Sequence, residues 1–250
     1  MIANLNEMTN RAMNFTERVT TRWSDRLAGS ESCLSCGDYL LECFSDFCDS
    51  THIHEFDVHP GSFLGYLRIN VVLYFIALLL LWLQLIPLAF FFSAFIAIIA
   101  IAQFFYYKEF IDFLFPKKRG KNVVGHIEPL GEVKQQVIIS AHHDSAHIFN
   151  FLVDKPEKFA IKTKLSAIGM FGIGIGSGLL LVAQLLGFSV LILGYIVSGL
   201  FTILAFWVGD MWFFYAKEGT PGAGDNMICT ALAMEVGKYF SLQKKNGNGL

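Results

Sequence analysis

The sequence predicts a polar domain of helices and strands that is interrupted by two transmembrane helical hairpins. Hydrophobic residues make up 54% of the 250-residue chain and charged residues only 16%, which is too apolar for an ordinary soluble domain. The excess lies in residues 69–107 and 165–209, which contain no Asp, Glu, Lys or Arg. A membrane-spanning helix needs about 20 apolar residues, so each stretch is long enough for two spans.

Each uncharged stretch contains turn-forming residues near its middle. Residues 84–87 end in a proline and residues 187–189 begin with a glycine, so two spans are favoured over one overlong helix. The chain therefore alternates between polar segments and membrane hairpins. The predicted segments are a polar segment at 1–64, a hairpin at 65–107, a polar segment at 108–164, a hairpin at 165–209 and a polar segment at 210–250.

The distribution of Lys and Arg predicts the orientation in the membrane. Basic residues flank both hairpins on their polar sides, among them Arg68, Lys108, Lys164 and Lys217, and neither hairpin turn is charged. The positive-inside rule then places both termini and all polar segments in the cytoplasm. Residues 1–13 have no apolar core, so no signal peptide is predicted. The net charge of −2 argues against a nucleic-acid partner.

The polar segments carry short helix and strand signals. The first is predicted to form a helix, a turn at residues 26–30, a second helix capped by Ser30 or Ser32, and an extended stretch. The second is predicted to contain strands at residues 122–127 and 137–140. The third has a glycine-rich loop at residues 219–224, followed by a helix from about residue 226 to 239.

Four cysteines in the first polar segment allow two interpretations. Cys33, Cys36, Cys43 and Cys48 form a C-x2-C-x6-C-x4-C series that is compatible with a metal or iron–sulfur site. The first three also fall, with Leu40, at the three- and four-residue steps of one helix face. We favour a buried apolar stripe, because cysteine behaves there as a small hydrophobe.

Glycines in the second hairpin predict close helix packing. Gly172-x-x-x-Gly176 and Gly174-x-x-x-Gly178 are small-xxx-small pairs, which let neighbouring helices approach closely. A phosphate-binding loop is disfavoured, because it would need a preceding strand and a different glycine spacing.

Residues 142–147 bring three histidines and one aspartate together after an apolar, strand-like run. One interpretation makes His143 and His147 an i, i+4 metal-binding pair, which requires a helix across both. The other makes His142 and Asp144 an H-x-D pair at the end of a strand, where alternation turns both side chains the same way. His142 would then bind a metal, and Asp144 would hold its imidazole by a hydrogen bond. The clustering of titratable groups disfavours a plain surface loop.

Asp225 follows the glycine-rich loop and precedes the last predicted helix. An aspartate at this position is typical of a helix N-cap. The same exposed position beside a helix N-terminus also suits a carboxylate that bridges two metal ions. Both interpretations remain open on the local sequence alone.

Four stretches, in this order, resemble the zinc-dependent aminopeptidases related to glutamate carboxypeptidase and the transferrin receptor ectodomain. Residues 26–30 resemble the R-x-x-G-S of that family, and residues 122–125 resemble its N-V-I-G strand. Residues 137–145 are similar to its strand ending in A-H-x-D-S, and residues 221–226 are similar to P-G-A-D-D-N. These stretches total 24 residues and fall in all three polar segments, so the resemblance extends over nearly all of the non-membrane part of the chain.

The resemblance implies an α/β fold, with a mixed sheet and helices on both faces, and a site for two zinc ions. His142 would be a terminal ligand of one zinc, Asp225 would bridge both, and Asp144 would be the orienting aspartate of the catalytic site. The resemblance therefore implies a membrane-anchored metallopeptidase that hydrolyses peptide substrates, with an aminopeptidase as the expected class.

The resemblance covers only part of such a site. Gly224 replaces the first Asp of the D-D pair, which is not a ligand position. The general-base Glu, its neighbouring ligand and the last ligands of the family lie beyond a further strand, and Glu235 is the sole carboxylate after Asp225. The chain is therefore expected to hold about half a site, to resemble the N-terminal portion of a longer peptidase, and to be inactive alone.

Two other functions compete with a peptidase. A catalytically inactive relative would keep the polar domain for binding or scaffolding. A transporter would use the hairpins themselves, but the spans contain no ionisable residue, and substrate or proton pathways in membranes usually need some. Anchoring is therefore the predicted role of the spans.

Overall fold

The computed structural model of the chain describes residues 2–247, which divide into two compact units. The polar unit contains the described residues through Pro60, Lys117–Ile148 and the residues from Lys217 onward. The membrane unit contains Gly61–Pro116 and Phe149–Ala216. In chain order the helices and strands are α1 (Ile2–Arg22), α2 (Glu31–Ser45), β1 (Ser50–Val58), α3 (Ser62–Trp82), α4 (Ile86–Ala100), β2 (Lys118–His126), β3 (His147–Phe149), α5 (Asn150–Asp154), α6 (Pro156–Leu185), α7 (Leu191–Asp210), β4 (Tyr215–Gly219) and α8 (Ile228–Lys245).

The fold class implied by the resemblance, an α/β mixed sheet, is wrong for this chain. The described residues are 65% helical, and their strands form only two small sheets of two strands each. β1 pairs antiparallel with β2, from Ser50 opposite His126 to Val58 opposite Lys118. β3 pairs with β4. The chain is therefore mostly helical, and the four long apolar helices supply more than half of its helical residues.

The predicted strand at residues 137–140 is also wrong. These residues pair with no strand in the described part of the chain, and Val137 and Ile138 are 67% and 80% exposed. β-branched residues favour strands, but backbone N–H and C=O groups form a strand only when a neighbouring strand satisfies them. The local sequence is typical of a strand, but residues 137–140 form none because no neighbouring strand among residues 2–247 is there to pair with them.

The polar unit has the predicted order of helix, turn, helix and strand. α2 begins after Ser30, whose Oγ accepts a hydrogen bond from the Cys33 N–H at 3.1 Å, so the predicted cap is confirmed at Ser30. Cys33, Cys36 and Leu40 are buried on α2, which confirms the apolar stripe. The core around this stripe also contains Ala12, Phe15, Val19, Met227, Ala231 and Met234.

The membrane unit contains four helices that are long and apolar enough to cross a membrane, as expected of a multi-pass membrane protein. They are Ser62–Trp82, Ile86–Phe105, Pro156–Leu185 and Leu191–Phe213. The breaks between them fall at the two predicted turns, and Pro87 lies in the first turn of α4. Proline is tolerated there because the first N–H groups of a helix have no partner within it.

The glycines of α6 allow it to pack closely against two other helices. A Cβ at Gly172 or Gly176 would lie 3.1 Å or 2.9 Å from the ring of Phe201 on α7. A Cβ at Gly178 would lie 3.0 Å from the ring of Phe90 on α4. The predicted role of these glycines in helix packing is therefore confirmed, since larger side chains would push the helices apart.

Candidate functional site

Two loops of the polar unit carry the residues that the sequence singled out. The histidine loop, residues 141–146, lies directly before β3. Its His142 carbonyl accepts a hydrogen bond at 3.0 Å from the Thr230 hydroxyl, which is buried on α8. This bond fixes the histidine loop against the helix that follows the second loop.

The glycine loop, residues 219–226, is anchored to other segments where it begins. Its Gly219 N–H donates to the Asp25 carboxylate at 2.9 Å, and its Thr220 N–H donates to the Ala146 carbonyl at 2.7 Å. Gly222 has a φ of +60°, a backbone conformation that glycine adopts without the clash that a Cβ causes. Its carbonyl accepts the Met227 N–H at 3.0 Å.

The buried Arg26 side chain connects the two loops by hydrogen bonds to their backbone carbonyls. This side chain is 0% exposed. Its guanidinium donates to the His143 carbonyl at 2.9 Å and to the Pro221 and Gly222 carbonyls at 3.0 Å and 3.3 Å. Burial lowers the pKa of Arg26, but a guanidinium has so high a pKa that it stays protonated. A single buried cation therefore fixes the backbones of the two loops relative to each other.

The main chain of Arg26 adds a second connection to the histidine loop. The Arg26 N–H donates to the Ser145 hydroxyl at 3.0 Å, and the Ser145 N–H donates to the Arg26 carbonyl at 2.9 Å. Ser145 is buried, so water does not compete for these bonds. The histidine loop is consequently held on both sides of Asp144.

The structure brings all three predicted site residues together. The His142 Nδ1 atom lies 3.1 Å from Asp144 Oδ1, and its Nε2 atom lies 3.3 Å from Asp225 Oδ1. The imidazole is therefore placed between two carboxylates that belong to different loops. The three side chains are 54%, 39% and 76% exposed, in the order His142, Asp144 and Asp225, so the site is open to solvent.

This geometry fits part of a zinc site. Two ligands at about 2.0–2.2 Å from a tetrahedral zinc lie about 3.3–3.5 Å from each other, and the Nε2–Oδ1 separation of 3.3 Å falls in that range. The hydrogen bond that the other ring nitrogen, Nδ1, donates to Asp144 is the usual support of a metal-binding histidine. Among residues 2–247, however, no group of three or more His, Cys, Asp or Glu side chains is arranged to hold a metal.

The second histidine of the loop points into the protein interior. The His143 Nε2 atom lies 3.5 Å from the Cys33 Sγ atom, and burial lowers the His143 pKa. No helix forms across residues 143–147, so the i, i+4 pairing of His143 with His147 is wrong. Burial also raises the pKa of the Cys33 thiol to about 11, which disfavours the thiolate that a metal would need.

Asp225 does not cap the helix that follows it. α8 begins at Ile228, and its N-cap is Met227, which makes no side-chain capping bond. Asp225 instead has φ −125° and ψ 90°, and its carboxylate is turned toward His142. The N-cap interpretation is therefore wrong, and the carboxylate is available to act at the site.

Two buried charged residues escaped prediction from the sequence. Arg26 was expected only as part of a turn, because its carbonyl partners come from distant loops. Glu235, on α8, forms an ion pair with Arg11 at 2.8 Å and is 5% exposed. The Glu235 carboxylate therefore pairs with an arginine of α1 and is not part of the candidate site. Its place beside Met234, on the apolar side of the predicted helix, was the available signal in the sequence.

Replacing Gly222 with alanine should destabilise the polar unit by at least about 1–2 kcal/mol, the cost of a left-handed backbone for a residue with a Cβ. The new Cβ would lie 2.8 Å from Ser145 Cβ and 3.0 Å from Arg26 Nη2. Gly224 is a matched control, because a Cβ there meets nothing within 4 Å.

The measurement is the urea midpoint reported by Trp23 fluorescence, in a background where the other three tryptophans, Trp82, Trp207 and Trp212, are phenylalanine. Those three belong to the membrane unit, so Trp23 reports on the polar unit alone. Equal midpoints for G222A and G224A would contradict the loop geometry.

Comparisons of the chain with protein-family models, with curated proteins and with solved structures found no match.

Proposed function

We propose that this protein is a membrane-anchored, zinc-dependent peptidase of the aminopeptidase class, which hydrolyses peptide substrates with a metal-activated water. The observation that carries the proposal is the position of the His142 imidazole, between Asp144 at 3.1 Å and Asp225 at 3.3 Å. A histidine between an orienting carboxylate and a second candidate ligand is typical of hydrolytic zinc sites.

Each of the three residues has a distinct role in this proposal. His142 and Asp225 would hold zinc, and Asp225 would contact both ions of a two-zinc site. Asp144 is a positioning residue, because its hydrogen bond to Nδ1 leaves Nε2 as the metal-binding nitrogen. When bound, zinc supplies a water of lowered pKa and polarises the peptide carbonyl. The exposure of the three side chains leaves room for a peptide.

Residues 2–247 provide no third His, Cys, Asp or Glu side chain that could complete a metal site with His142 and Asp225. A catalytic zinc usually has three protein ligands and a water. We therefore propose that the chain is inactive until further ligands join His142 and Asp225. This arrangement also keeps a second function open, in which the polar unit binds peptides or scaffolds other proteins without hydrolysis.

The metal content of the full-length gene product tests the proposal. Purified in detergent and loaded with zinc, it should carry close to two zinc ions per chain and release the N-terminal residue of peptide substrates. A chelator should abolish that release. Failure to bind zinc would overturn the peptidase proposal and favour the binding function. Zinc binding without hydrolysis of any peptide in a broad panel would favour an inactive relative.

We further propose that both termini and the polar unit face the cytoplasm, because the basic residues flank the polar sides of both hairpins. In a background with Cys43 and Cys48 replaced by serine, the exposed Cys229 should react with a membrane-impermeant maleimide only in opened cells. A cysteine placed at Ser189, in the second hairpin turn, should react in intact cells. The reverse pattern would overturn the orientation.

A further inference from the structure

An apolar groove runs along the outside of the membrane unit between α3 and α7. It is a shallow, open groove with a volume of about 560 Å³. Many of its lining side chains are exposed, including Phe75 at 43%, Leu79 at 59% and Phe213 at 66%. The lining residues are Val71, Val72, Phe75, Ile76, Leu79, Gly209, Trp212 and Phe213.

Gly209 keeps the groove open on the α7 side. A Cβ at this position would lie 3.6 Å from the Phe75 ring, an ordinary contact distance. Any longer side chain would extend into the space between the two helices. A glycine at residue 209 therefore leaves this space free.

Arg68 lies one helical turn before Val71 and Val72, on the same face of α3. Its Nε atom donates to the Trp212 carbonyl at 3.1 Å. Its guanidinium carbon lies 4.4 Å from the centre of the Tyr215 ring and 5.8 Å from that of Trp212. Because Trp212 also lines the groove, these contacts hold the guanidinium at the end of the groove.

The charge of Arg68 has no carboxylate partner among residues 2–247, and its Nη atoms donate no hydrogen bond there. An arginine at the end of a membrane span extends toward the interface, where Trp and Tyr side chains are also enriched. The free Nη donors form a planar fork that matches a phosphate group. A phosphate group at the membrane surface would match these donors.

The length of the groove matches one acyl chain. From Arg68 to Leu79 the helix rises about 16 Å at about 1.5 Å per residue, and half of a hydrocarbon core of about 30 Å is about 15 Å. We propose that the membrane unit binds one phospholipid, with its phosphate on Arg68 and one acyl chain in the groove. The groove binds the chain by apolar contact, and Arg68 selects a phosphate over other headgroup chemistry.

Fluorescence quenching by a brominated phospholipid tests this site. Trp212 is the reporter, in the 250-residue chain with Trp23, Trp82 and Trp207 replaced by phenylalanine. Phosphatidylglycerol with dibrominated acyl chains is added to the delipidated protein in detergent micelles. Quenching of Trp212 should saturate at about one lipid per chain, because one bound chain passes beside its ring.

Two variants separate the parts of the site. R68Q should raise the lipid concentration at half-saturation by about tenfold or more, because a charge-assisted hydrogen bond to phosphate is lost. V72F should also raise the lipid concentration at half-saturation, because the phenylalanine ring would fill the groove. Val72 is 46% exposed, so the substitution should not disturb the core. K164Q, which removes an exposed charge at the polar end of α6, should leave the half-saturation concentration unchanged. Circular dichroism confirms the same helical content in all variants.

Quenching that grows without saturation and ignores R68Q would overturn the proposal, since it would reflect only the surrounding detergent and lipid. Relief of quenching by millimolar inorganic phosphate, with no effect of V72F, would also overturn it, since the site would then bind phosphate alone. Saturable quenching that both R68Q and V72F weaken supports the phospholipid site.

Discussion

Replacing Arg26 with methionine is expected to lower the free energy of unfolding of the polar unit by about 3–5 kcal/mol. The substitution removes the donors for the Trp23, His143, Pro221 and Gly222 carbonyls. Each buried acceptor left without a partner costs about 1–3 kcal/mol, and some of this cost is recovered when the loops relax. The two loops of the candidate site would then lose their common support.

The Trp23 reporter measures this effect as the urea midpoint of the polar unit. R18M is the matched control, because Arg18 is exposed on α1 and its nearest aromatic contact is Phe15 at 5.5 Å. R26K should recover only part of the loss, since an ammonium group cannot donate in the planar fork of a guanidinium. A midpoint for R26M equal to that of R18M would show that the buried guanidinium does not stabilise the loops.

Zinc affinity is the second quantity expected to change strongly on substitution. Removing the orienting carboxylate in D144N should weaken zinc binding by about 10- to 100-fold, the usual effect of losing the hydrogen-bond partner of a metal-binding histidine. H142A and D225N should weaken it further, because each removes a candidate ligand atom. The amide introduced by D225N keeps the shape of the side chain, so a loss in that variant reports on charge and coordination.

Competition with a fluorescent zinc chelator, on the full-length protein in detergent, measures these affinities. H54A is the control, because His54 is exposed on β1 and has no role in the proposed site. The Trp23 reporter shows whether each variant remains folded. Unchanged zinc affinity in both H142A and D225N, with folding intact, would exclude these residues as ligands.

The candidate site was predictable in its parts and not in its assembly. The H-x-D spacing identified His142 and Asp144, and the glycine-rich loop identified Asp225. The structure adds the contact between His142 and Asp225 at 3.3 Å, which depends on two loops far apart in sequence. It also adds Arg26, whose importance comes entirely from carbonyls on other segments.

The sequence by itself determined the features that depend on neighbouring residues. The two helical hairpins follow from long uncharged stretches with central turns, the start of α2 from a serine cap at residue 30 or 32, and the glycine packing face from the spacing in α6. Each of these signals lies within one continuous segment, so no knowledge of the rest of the chain is needed.

Only the tertiary structure decided the features that need a distant partner. Residues 137–140 have the composition of a strand but remain unpaired, because no neighbouring strand in the described part of the chain lies beside them. His143 is buried against Cys33, whereas His142, the residue before it, faces solvent and two carboxylates. Pairing, burial and charge compensation are properties of the folded neighbourhood, and a residue's own sequence context does not contain them.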